Sequence, residues 1–270
     1  MQRVSLAALA PTELELAVRA PSRGAPERWS EAKDLREDHA GSKSPDSDSI
    51  EGFVERLAQT EARPNSFNPF DSSLPENAAR RRNLGLYLRE MAEHRPRVLL
   101  LGEAPGYRGM RMTGTPFTNR AILRNGVEHF GLFGSDKGYL VPTELAPVAS
   151  EPTATVMWQT LTELDFLPLL WSAYPFHPHQ PGIPLSNRTP SAPEISAGLP
   201  VWTALAQLFG IRTVVAVGNA AHRSVLLCGQ DAAKVRHPAH GGKVKFRQGL
   251  EVLLAQGIDD DRSGESVWPV

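Results

Sequence analysis

Four apolar runs punctuate the chain: RVLLLG (97–102), FLPLLWSAYP (166–175), RTVVAVG (212–218) and a weaker AAKVRHP (232–238). They are short and do not alternate apolar with polar positions, so each reads as a strand buried on both faces. Apolar residues at helical spacing fill the stretches 120–130, 153–164, 193–209, 219–227 and 242–255. Two further helices are predicted earlier, in IEGFVERLAQTEA from Ile50 and in PENAARRRNLGLYLREMAEH, which starts at Pro75 and carries Leu84, Leu86, Tyr87, Leu88 and Met91. Strands separated by helices predict an α/β layer fold around a parallel sheet covered on both faces.

The ends lack such patterning. Residues 1–48 mix Pro, Gly, Ser and charges, which predicts a disordered tail, with a folded domain over 49–257 and a loose acidic tail over 258–270. With 270 residues, 41% of them hydrophobic, the chain can bury one sizeable core. One cysteine, Cys228, excludes an internal disulfide framework and any four-thiolate cluster, and fits a reducing compartment. The first residues hold too short an apolar run and too many acids for a secretory signal, and no segment reaches membrane-spanning length. The expectation is a cytoplasmic protein, associated with the nucleoid if prokaryotic, with no membrane partner. A net charge of −1 and a pI near 6.7 name no polyanion partner, so one would have to be met by a local patch.

The residues just after each apolar run are more telling: GEAPG, FHPHQPG, GNAAH and HPAHGGK. Glycine, proline, histidine and acid thus collect at the carboxyl ends of the predicted strands, the edge of a parallel sheet where ligands bind. A lone acid such as Glu103 would ordinarily cap a helix. Here Gly102, Gly106, Gly109 and Gly114, stiffened by Pro105 and Pro116, suit a loop that holds one carboxylate still as a base. Phe117, elsewhere a core residue by default, lies in the polar turn TGTPFTN, where an aromatic face suits stacking on a flat ligand. The pairs His177/His179 and His237/His240 admit a zinc site with a water activated by Glu103. Against it stand the prolines inside both pairs and the lack of an HExxH helix. For His179 and His240 the other readings are phosphate contact or plain loop polarity. Lys234, Arg236, Lys243, Lys245 and Arg247 form the densest basic segment, either a solvated helix face or a phosphate-binding patch that Arg108, Arg111, Arg120 and Arg124 would extend.

From FNPF and RRRNLGLYL through LGEAPGYRG, TGTPFTN, YPFHPHQPGIPLSNRTPSAPE, VVAVGNAAH and VRHPAHGGKVKFRQGL, roughly Phe67 to Leu254, the chain resembles the uracil-DNA glycosylase superfamily. It is most similar to the bacterial branch whose first motif is GEAPG. The resemblance implies a three-layer α/β/α fold with a short, mostly parallel four-stranded sheet. It also implies excision of a deaminated base from DNA, in base excision repair, by a monomer without cofactor or metal. Glu103 would orient or deprotonate the attacking water, and His237 would donate a hydrogen bond to the departing base. Gly102, Ala104, Phe117 and Ser172 would form the base pocket, with Phe117 stacking on the flipped base. Ala239, His240 and Gly241 would press into the DNA, and Arg108, His179, Asn187, Arg188 and Lys243 would contact it.

Four departures accompany the resemblance. The branch usually holds an iron-sulfur cluster through four cysteines, and Cys228 alone cannot. Ser172 stands where relatives generally place an asparagine that reads the base edge, so altered recognition extending to other deaminated bases is expected. Gly106 stands where some relatives carry a bulky residue that excludes thymine. Asn187 matches the histidine through which a sister branch captures the abasic sugar, so hydrolysis without a trapped adduct is expected. Two alternatives remain at this level: a member that binds damaged DNA without cleaving it, and a zinc hydrolase built on His177, His179, His237 and His240.

Overall fold

The structure, a computed structural model, describes Trp29 and residues 44–142, 151–230, 233–239 and 241–259. Eight α-helices and six strands are defined among them: α1 (Ser47–Ala58), β1 (Ser66–Phe67), α2 (Ala78–His94), β2 (Val98–Gly102), α3 (Met110–Thr113), α4 (Arg120–Asn125), α5 (Pro152–Glu163), β3 (Leu169–Ser172), β4 (His177–Pro178), α6 (Ala192–Leu208), β5 (Thr213–Val217), α7 (Asn219–Leu226), β6 (Ala233–Val235) and α8 (Lys243–Ala255). No described helix is long and apolar enough to cross a membrane.

β3, β2, β5 and β6 lie side by side in that order, all parallel, with Leu101 opposite both Trp171 and Ala216. The three longer strands are buried almost throughout, which is why their sequences show no alternation. From β2 the chain runs first to one side, to β3, and then back across to β5. Right-handed crossovers made in opposite directions put α3–α5 on one face and α6 and α7 on the other. The reversal opens a crevice between the carboxyl ends of β2 and β5.

Packing fixes this frame tightly. β3 is an edge strand, and the Tyr87 hydroxyl of α2 covers it, accepting from the Leu170 N–H at 2.9 Å. Trp202 of α6 donates through Nε1 to Ser224 of α7 at 2.9 Å. Gly198 lets α6 press directly onto the chain after β3, since a Cβ there would fall 1.9 Å from the Ala173 carbonyl oxygen. A second, two-stranded sheet pairs β1 with β4 antiparallel, Phe67 opposite His177.

The stretch expected to be a disordered tail contains one residue that packs into the core. Trp29 is buried edge-on against Phe53 at 5.6 Å, donates to Thr60 Oγ1 at 3.2 Å and carries the Arg56 guanidinium over its ring. The helix expected from Ile50 begins at Ser47, because Asp46 caps it by accepting from the Ser49 N–H at 2.8 Å. The rest of that stretch through residue 43, and the C-terminal tail from residue 260, lie outside the described residues.

Candidate active site

Backbone geometry places Glu103. The β2–β3 pairing runs one residue past β2 and two past β3, with the Tyr174 N–H donating to the Glu103 carbonyl at 3.1 Å, so this acid begins its loop at a fixed point. Two side chains fasten the loop further on. His177 Nδ1–H donates to the Pro105 carbonyl at 2.7 Å, and Asn187 Oδ1 accepts from the Tyr107 N–H at 3.0 Å. The next turn is tied down by Arg80, buried in α2, which donates through Nε to the Arg111 carbonyl at 2.8 Å.

Glu103, Ala104, Phe117, Ser172, Asn187, Arg188, His237 and Ala239 line a single cavity of about 1010 Å³ at the carboxyl ends of the strands. Burial raises the Glu103 carboxyl above its usual range, while a hydrogen bond with the Thr189 side chain and the positive charge of Arg223 pull it back down. Neither Thr189 nor Arg223 stood out in the sequence, and both line the cavity.

His237, which lines the same cavity, is held by its own loop. The Ala239 N–H donates to His237 Nδ1 at 3.2 Å, which makes Nδ1 the acceptor and leaves the proton of the neutral ring on Nε2. Gly218, at φ +91°, allows the end of β5 to pass close behind this ring; a Cβ there would meet His237 Cβ at 3.3 Å.

Phe117 is held in the left-handed region at φ +47°, which costs an L-residue about 1–2 kcal/mol, and Trp158 Nε1 donates to its carbonyl at 2.9 Å. Its ring covers Gly102. That corrects one expectation: Gly102 is buried beneath Phe117 and does not line the cavity. Ser172, 4% exposed, does line it.

The expected DNA-contacting residues divide. Arg108 is exposed and stacks over Tyr107 at 5.2 Å, and Lys243 is exposed at the start of α8, reaching Gln159 at 3.4 Å. Gly241 is exposed, and His240 lies outside the described residues. Arg188 is committed within the protein. Two of its donors grip Glu194 at 2.7 Å each, and the others go to the carbonyls of His179, Asn65 and Thr189, leaving no donor for a phosphate. Arg247 is likewise bound, to Glu163 and Glu251. Of the expected basic segment, Lys234 and Arg236 border the cavity.

Among the described residues, His177, His179 and His237 of the expected four-histidine site do not form a metal site. His177 is fully buried with both ring nitrogens on carbonyls, of Pro105 and Pro184, and burial drives its pKa down to about 4. His179 turns Nδ1 to the Gln180 carbonyl at 2.9 Å, and neither residue lines the cavity that His237 does. Among the described residues no group of three potential ligands could hold a metal ion.

The family model of the uracil DNA glycosylase superfamily matches residues 89–255, a span that runs from α2 to the end of α8 and contains Glu103, Phe117, Ser172 and His237. The chain belongs to the uracil DNA glycosylase superfamily. Its mixed α/β architecture with a four-stranded parallel sheet is consistent with the superfamily's fold. Among solved structures the chain is similar to wild-type SMUG2 of Pedobacter heparinus, at 14% sequence identity and a TM-score of 0.49, over 78% of this chain and 97% of that one. No curated protein matches it.

Proposed function

We propose that the protein is a monofunctional DNA glycosylase that hydrolyses the N-glycosidic bond of uracil or a related deaminated base, acting as a monomer in base excision repair without a metal. The observation that carries this reading is that Glu103 and His237 line one cavity, together with the Phe117 ring and Ser172. A base inside a duplex is out of reach of such a cavity, so the nucleotide is flipped into it. Unstacking costs a few kcal/mol, and least for a mispaired base. Phe117 then stacks on the base.

Cleavage breaks the bond between the anomeric carbon and the base nitrogen. The electron pair leaves with the base while positive charge builds on the sugar. Glu103, whose carboxylate form Thr189 and Arg223 favour against the larger opposing effect of burial, steadies that positive charge, orients the water and takes its proton as the oxygen bonds to the anomeric carbon. His237, whose proton sits on Nε2, donates to the base oxygen as negative charge develops there. Arg223, Lys234 and Arg236 give the rim a positive charge suited to the phosphates on either side, although the chain as a whole carries −1.

The test is an oligonucleotide panel carrying uracil, hypoxanthine or xanthine, single- and double-stranded, treated with alkali after incubation with the protein. Strand breaks at the modified position are expected. Salt-sensitive binding without breaks on any substrate would replace this reading with a damaged-DNA-binding role.

A further inference from the structure

Glu194, in the first turn of α6, is 2% exposed and makes more bonds than a helix cap requires. The capping part is its contact with Ser191, whose N–H and hydroxyl donate to Oε2 at 2.7 and 2.9 Å. Beyond that, the Arg188 guanidinium donates to both carboxylate oxygens at 2.7 Å, and the Ser66 hydroxyl of β1 donates to Oε1 at 2.6 Å. The other Arg188 bonds go to the carbonyls of His179 beside β4, Asn65 beside β1 and the adjoining Thr189. A two-pronged ion pair of this kind has a defined geometry, and separating it leaves a buried carboxylate without its counter-charge. The backbone at Arg188 is therefore pinned to β1, β4 and α6 at once.

What the pair pins is a wall of the cavity. Asn187, Arg188 and Thr189 all line it, and the residues on either side of Arg188 reach the loop that carries Glu103. Asn187 Oδ1 accepts the Tyr107 N–H at 3.0 Å, and the Thr189 side chain hydrogen-bonds the Glu103 carboxylate. Glu194 does not line the cavity, so any influence it has on the chemistry passes through Arg188 and this strip.

We propose that Glu194 and Arg188 are positioning residues of the active site: their ion pair fixes the strip Asn187–Thr189 so that the Thr189 hydroxyl stays on the Glu103 carboxylate. The inference rests on the glycosylase reading and extends its machinery to a residue outside the cavity. A donor on the carboxylate favours its ionised form, so a strip that slackens and withdraws Thr189 makes Glu103 easier to protonate. The other charged groups that line the cavity, Glu151, Arg223, Lys234, Arg236 and His237, belong to other parts of the fold, so loosening the pair acts on Glu103 through Thr189. Glu194 itself stays ionised: burial works to raise its carboxyl, but the bonds from Arg188, Ser66 and Ser191 hold it at about 2. Its own titration thus lies below the range in which activity is measured.

The experiment measures kcat/KM against pH on a single-stranded uracil oligonucleotide for the full chain and its Thr189→Val, Glu194→Gln, Thr189→Val/Glu194→Gln and Ser191→Ala variants. The acid limb of that profile reports the protonation of Glu103 and does not depend on how much of a variant folds. Glu194→Gln keeps the shape of the side chain and removes the ion pair; Arg188→Lys, which keeps the charge but not the two-pronged grip, supplies the same readout if Glu194→Gln yields no folded protein. Thr189→Val and Glu194→Gln are each expected to move the limb to higher pH, and the double variant to move it no further than Thr189→Val alone, because both act through one hydrogen bond. The plateau for Glu194→Gln is expected to fall about 10- to 100-fold as the strip shifts. Ser191→Ala, which weakens the helix cap and leaves the ion pair, is expected to keep the limb in place. A limb unmoved in Glu194→Gln or in Thr189→Val, additive shifts in the double variant, or an equal shift in Ser191→Ala overturns the inference while the glycosylase reading stands. If the unaltered chain releases no base from any substrate, the glycosylase reading falls, and this inference with it.

Discussion

The ring of Phe117 fills the space that a side chain on Gly102 would need: a Cβ there would lie 2.4 Å from Phe117 Cζ and 2.9 Å from Cε2. The end of β2 and the stacking platform therefore set each other's position, and the missing side chain at 102 serves the ring rather than the ligand directly. Gly102→Ala should push the ring outward. Displacements of an ångström in such positions cost on the order of 100-fold in rate, and overpacking a tight site costs about 1–3 kcal/mol of stability. Base-release kinetics with a urea titration check both; unchanged kinetics would detach Phe117 from the chemistry.

Arg223 acts on Glu103 through charge. Burial raises the Glu103 carboxyl, and Arg223 opposes the rise. A base works only when deprotonated, so activity falls as pH drops through the pKa of Glu103. Removing the cation with Arg223→Gln raises that pKa, and the acid limb of the kcat/KM profile should move to higher pH. Arg223→Lys keeps the charge and should leave the limb near its original place. A limb that stays put in Arg223→Gln would assign it to another group.

His177 makes a different kind of prediction, about stability. Its ring is neutral in the fold with the proton on Nδ1, and its pKa is held down to about 4 from 6.5. Between those values the unfolded chain binds a proton that the folded chain does not. The stabilisation is therefore complete above pH 6.5 and is lost as pH falls toward 4, by about 3 kcal/mol in all. Urea unfolding at pH 7 and pH 4.5, repeated on His177→Asn, checks it: the variant should lose this component of the pH dependence.

Much of this architecture is legible in the sequence because it depends on local signals. The runs at 97–102, 166–175, 212–218 and 232–238 each contain an observed strand, since burial on both faces leaves uninterrupted apolar stretches. Glu103, Phe117 and His237 could be singled out because glycine and proline cluster around them at strand ends. What could not be read are partnerships across long stretches of chain. Arg188 looked like a phosphate ligand until Glu194, His179 and Asn65 claimed its donors. Thr189 and Arg223 meet Glu103 only through the fold. Trp29 sits in a polar stretch with no periodicity, and its slot is formed by Phe53, Arg56 and Thr60 on and just beyond α1. The β1–β4 pairing spans two residues on each side, too short to leave a pattern.

The central claim is that Glu103 and His237 act from one cavity on a single flipped nucleotide. Single-turnover release of uracil from a single-stranded oligonucleotide, measured for the unaltered chain, Glu103→Ala and His237→Ala, tests it most directly. Each substitution should slow release by about 100- to 10,000-fold while DNA affinity holds. Release at the unaltered rate by either variant would contradict it.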